Sequence, residues 1–63
     1  MKLRDLLLKM YADQKVRIDD NQTVQTVTAD VDEIISEHTE LLDRTVETIY
    51  FSRTFNEVMI DLE

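Results

Sequence analysis

No glycine, proline or cysteine occurs among the 63 residues of this chain. Every reversal of direction must therefore be made by a residue that carries a side chain, and asparagine is the next best occupant of the left-handed region after glycine. The only two asparagines, Asn21 and Asn56, each fall between stretches of alternating or β-branched residues. Both positions read as hairpin turns. The missing cysteines exclude a disulfide framework and a thiolate zinc site. Without glycine there is no phosphate-cradling loop, and the sharp turn of an EF-hand calcium loop cannot be made.

Between those turns the chain alternates between two periods. Leu3, Leu6, Leu7, Met10 and Tyr11 recur at helical spacing and predict a first helix from Lys2 to about Ala12. Leu8 falls off that stripe, which predicts burial on more than one side. Lys15 to Asp19 alternates strictly, with Val16 and Ile18 opposite Lys15 and Arg17, as a half-buried strand does. Asp19-Asp20-Asn21-Gln22 reads as a turn, and the β-branched run Thr23 to Ala29 as the returning arm.

Residues 31–43 hold the clearest helical period. Val31, Ile34, Ile35, His38, Leu41 and Leu42 share one stripe, with Asp30 as the expected N-cap and Glu33 completing a capping-box pattern. Thr45 to Arg53 then predicts a third strand, with Ile49 and Phe51 on one face and Thr48 and Tyr50 on the other. Glu57 to Leu62 predicts a fourth, with Val58, Ile60 and Leu62 aligned and Thr54-Phe55-Asn56 as the turn between them.

The expected order is α-β-β-α-β-β in a single domain spanning residues 1–63. The simplest arrangement is an α+β fold, a four-stranded antiparallel sheet with two helices packed on one face. No apolar run approaches the ~18 residues of a membrane span. The opening Met1-Lys2-Leu3-Arg4-Asp5 does not read as a signal peptide. The 43% hydrophobic content is too high for a disordered acidic tail. These features point to a cytoplasmic domain.

Charge is distributed unevenly. Residues 1–17 hold five bases and two acids, a net of +3, whereas residues 18–63 hold two bases and twelve acids, a net of −10. Asp32, Glu33, Glu37, Glu40 and Asp43 line the polar side of the second predicted helix, and no basic residue precedes Arg44 there. Intrahelical ion pairs therefore do not account for the pattern. On a continuous helix Glu33, Glu37 and Glu40 would stand about 4.5–6 Å apart along the axis. Such a row can imitate part of a phosphate track, which carries one charge per ~3.4 Å of each DNA strand. A solvated face that keeps a small protein dispersed is the alternative explanation.

Chemistry-bearing constellations are scarce. His38 is the only histidine. Ser36 points elsewhere on a helix, and neither an H-x-x-x-H spacing nor a cysteine partner exists, so neither a nucleophile-base pair nor a metal site is expected. Asp19-Asp20-Asn21 and Asp30-Val31-Asp32-Glu33 are accounted for by turn and cap roles. A net charge of −7 opposes direct nucleic-acid binding. Lys15 and Arg17 form a small basic spot expected to pair with neighbouring carboxylates. Tyr50 and Phe51 read as core residues, and Phe55, within a turn, is the candidate exposed apolar anchor. No catalytic residue, metal or cofactor is expected.

The segments Met1-Lys2-Leu3-Arg4-Asp5-Leu6-Leu7, Lys15-Val16-Arg17-Ile18 and Val58-Met59-Ile60-Asp61-Leu62-Glu63 resemble small acidic α/β proteins of phages and prophages of Gram-positive bacteria. Some proteins of that kind are anti-CRISPRs, which bind Cas9 on the surface meant for DNA. The resemblance implies a non-enzymatic inhibitor acting in the host bacterial cytoplasm on a basic protein partner such as a Cas9-type nuclease. Asp32, Glu33, Glu37, Glu40, Asp43 and Phe55 are the expected partner contacts. The competing expectation is a small structural or regulatory phage accessory protein that works as a homodimeric interaction module, joined through a sheet edge or an apolar patch.

Overall fold

A computed structural model describes all of residues 1–63. In chain order it contains α1 (Leu3–Leu7), β1 (Lys15–Asp20), β2 (Gln25–Asp30), α2 (Val31–Glu37), a 3-10 helix (Thr39–Leu41), β3 (Val46–Ser52) and β4 (Glu57–Leu62). The order of elements and the α+β class agree with the sequence reading. No helix is long and apolar enough to cross a membrane.

The sheet is mixed, which corrects the expectation of a purely antiparallel one. Its strand order is β2-β1-β4-β3, with antiparallel hairpins β1–β2 and β3–β4 joined through a parallel β1–β4 pair. The cause lies in the link between the hairpins. β2 runs against β1, and α2 with the 3-10 helix then carries the chain back before β3 begins, so β3 starts in the same direction as β2. β4 must consequently run parallel to β1.

Register decides which side chains enter the core. Val16 lies opposite Val58 and Ala29, and Ile18 opposite Ile60 and Val27. This face supplies Val16, Ile18, Ala29, Ile60 and Leu62 to one cluster of 11 buried apolar residues, completed by Leu3, Leu7, Val31, Ile34, Leu41 and Leu42. Strand β4 has the bounds and the Val58/Ile60/Leu62 alignment that its alternation predicts.

Both helices are shorter than their apolar stripes suggested. α1 ends at Leu7, because Lys9 and Met10 donate to the carbonyls of Leu6 and Leu7, three residues back, and so tighten the chain out of α geometry. Leu8 (69% exposed) and Tyr11 face solvent in consequence, contrary to expectation. α2 ends at Glu37, since His38 adopts φ −124° and ψ 51°. The segment beyond is held instead by α1: Arg4 N–H donates to Leu42 C=O at 2.9 Å and Leu3 N–H to Arg44 C=O at 2.9 Å.

These bonds also satisfy the unpaired donors at the start of α1. α2 uses the same device. Val31 N–H donates to Gln14 C=O at 3.0 Å and Asp32 N–H to Ala12 C=O at 3.0 Å. Asp30 occupies the N-cap position with extended backbone but makes no side-chain cap bond, so the expected capping box with Glu33 is absent.

Turn chemistry agrees at one hairpin and departs at the other. Asn56 adopts the expected positive φ of 54°. In the first hairpin Val24, not Asn21, takes it, with φ 56°. Asn21 is engaged elsewhere, its Nδ2 donating to Leu62 C=O at 3.2 Å. β2 accordingly begins at Gln25, two residues later than Thr23.

Candidate partner-binding surface

Of the five carboxylates expected in one row, α2 carries three. Asp32, Glu33 and Glu37 are exposed and none forms an ion pair. α2 itself contains no lysine or arginine, and no base of another element forms an ion pair with the three. Ser36 turns its hydroxyl back onto the helix, donating to Asp32 C=O at 3.0 Å.

Glu40 and Asp43 depart from the expectation. The break at His38 places Glu40 on the 3-10 helix and Asp43 beyond it, so neither continues the α2 row. Glu40 lies 3.8 Å from His38 Nδ1, and Asp43 lies 3.3 Å from Arg4 in a solvent-exposed ion pair. A contact of that kind contributes little to stability.

Phe55 is 64% exposed in the turn between β3 and β4, as expected of an anchor. It lines a shallow depression with Tyr11, Asp13, Gln14, Lys15 and Asn56, a site whose one carboxylate is Asp13 and which includes none of those on α2. The basic spot on β1 is partly paired: Arg17 Nε lies 3.9 Å from Asp19, whose carboxylate also accepts a 2.7 Å bond from the Thr26 hydroxyl.

One acidic group proves structural. Asp20, read in the sequence as a turn residue, is only 6% exposed. Arg44 Nη1 donates to its Oδ2 at 2.6 Å and Nη2 to its Oδ1 at 2.8 Å, and Nη2 also reaches Glu63 C=O at 2.7 Å. The Arg44 guanidinium holds the Asp20 carboxyl far below the usual carboxylate range. Burial pushes the other way and is outweighed, with the Gln22 N–H adding to the lowering. The pair fastens the end of β1 to the segment entering β3. Its members are 24 residues apart, so local patterning gave no sign of it.

The sequence also gave no sign of the apolar exposure on β3. Ile49 is 46%, Tyr50 47% and Phe51 51% exposed, although Tyr50 and Phe51 were expected in the core. None of the three belongs to the buried cluster or to the half-buried residues packed against it. No family model, curated protein or solved structure matches the chain.

Proposed function

We propose that the chain works by binding and inhibits a basic, nucleic-acid-binding protein in the bacterial cytoplasm, a Cas9-type nuclease being the specific target. The observation that supports this reading is the set of three exposed carboxylates on α2, Asp32, Glu33 and Glu37, with no cation beside them. Carboxylates left without internal partners are free to meet the lysines and arginines of a phosphate-binding groove. Glu40 and Asp43, which stand outside α2 beside His38 and Arg4, are secondary contacts in this reading. The overall charge of −7 steers the chain toward a positive surface and away from DNA itself.

The test is DNA cleavage by a purified, guide-loaded Cas9-type nuclease with increasing amounts of the chain. Wild type is expected to inhibit, with the inhibition weakening as salt rises. The double variant Glu33→Lys/Glu37→Lys is expected to lose inhibition while keeping its circular dichroism spectrum and melting temperature. A wild-type chain that leaves cleavage untouched, or a variant that inhibits equally, overturns the reading.

A further inference from the structure

We propose that the free edge of β3 is a homodimer interface, through which two copies join their sheets in antiparallel register about a two-fold axis at Tyr50. β3 is an outer strand of the β2-β1-β4-β3 sheet. Its entry is already covered, since Met1 C=O accepts from Val46 N–H at 2.8 Å and Lys2 bridges Thr45. Beyond that point alternate backbone groups face outward with no partner, a template for another strand.

Exposed edges are ordinarily protected by lysine, proline, charge or a β-bulge, and β3 is bulged only at its entry, between Val46 and Thr48. β3 has none of these from Thr48 to Ser52, in a chain whose net charge is −7. It presents Ile49, Tyr50 and Phe51 instead, each about half exposed. The opposite edge of the sheet, β2, differs: Gln25, Thr26, Thr28 and Asp30 make it polar. Apolar surface therefore accumulates on one edge only.

The occupant follows from self-complementarity. A strand pairing antiparallel with its own copy about Tyr50 sets Ile49 opposite Phe51 of the second copy, and by symmetry Phe51 opposite Ile49. Cross-strand pairs of an aromatic and a β-branched side chain are favourable. Tyr50 meets its own counterpart. The same register brings Glu47, in the bulge at the entry of β3, toward Arg53 of the second copy, one residue past the strand end, at both ends, so the interface is neutral between two acidic molecules. A register centred on Ile49 would set Glu47 against Phe51 and leave Arg53 without an acid. Charge thus selects Tyr50 as the centre. The contact is isologous and closes at two copies.

Light scattering and sedimentation of the whole chain over a concentration series test this. Wild type is expected at twice the 7.5 kDa chain mass. Ile49→Lys places a charge on the edge and is expected to give monomer with an unchanged circular dichroism spectrum. Arg53→Glu sets like charges together at both ends and is expected to weaken the dimer about tenfold or more. Glu47→Arg/Arg53→Glu restores the pairs in reverse and is expected to recover it. A monomer at every concentration, a dimer indifferent to Ile49→Lys and Arg53→Glu, or a charge-swapped variant that stays monomeric overturns the proposal.

Discussion

Arg44 grips Asp20 with two parallel hydrogen bonds of 2.6 and 2.8 Å across 24 residues of sequence. A third bond from the same guanidinium, to Glu63 C=O, ties in the end of β4. Three segments that share no local pattern are joined by one side chain. Arg44 also engages its backbone, with its carbonyl accepting from Leu3 N–H and its own N–H donating to Leu41 C=O.

Removing the carboxylate charge should therefore matter more at Asp20 than at any surface acid. Asp20→Asn leaves the guanidinium facing a neutral amide, whereas Asp43→Asn only releases an exposed partner of Arg4. The expected outcome is a clear fall in melting temperature for Asp20→Asn and almost none for Asp43→Asn. Equal shifts for the two variants would contradict the structural role assigned to Asp20.

The pH dependence of that difference has a defined sign. Because the native carboxyl of Asp20 is held below its ordinary value of 3.8, its stabilising effect is complete above that value. It is lost as pH falls from there toward the depressed native value. In urea unfolding, the gap between wild type and Asp20→Asn should be level above about pH 5 and narrow progressively in more acidic solution. A gap that widens on acidification would be inconsistent with a lowered carboxyl.

Core truncation should bring this small domain close to unfolding. Ile34 is fully buried in the apolar cluster that also holds Leu3 and Leu7 of α1 and the inward residues of the sheet. Ile34→Ala is expected to remove about 2–5 kcal/mol. A chain of this size holds on the order of 3–9 kcal/mol in all. Denaturant curves should show a much-reduced midpoint or no folded baseline, with Glu33→Ala as an unaffected neighbour.

Val24 should be improvable. A β-branched residue at φ 56° carries backbone strain, and its side chain, 90% exposed, gains nothing from packing. Val24→Asn is expected to raise stability by about 1 kcal/mol, read from urea unfolding. A loss of stability would show that the valine makes a compensating contact.

Asp30 should be nearly silent. A functioning N-cap is worth about 1 kcal/mol, but the first donors of α2 are taken by the carbonyls of Gln14 and Ala12. Asp30→Ala is expected to change unfolding free energy by less than about 0.5 kcal/mol. A full cap-sized loss would place the carboxylate on the helix after all.

What residue order settled by itself is local: the sequence of elements, the inward alternation of Val16/Ile18 and Val58/Ile60/Leu62, the apolar stripe through Val31 and Ile34, and the turn at Asn56. Each is written in neighbours two to four residues apart, where side-chain direction repeats with a fixed period. Tertiary structure alone decided the parallel β1–β4 pair, the end of α2 at His38, the capping of both helices by distant carbonyls and the burial of Asp20 against Arg44. Those depend on bonds between residues remote along the chain, whose partners exist only once the hairpins are docked. Exposure of Ile49, Tyr50 and Phe51 belongs to the same group. The pattern of β3 shows that it can be a strand, but only its place at the margin of the sheet leaves those side chains uncovered.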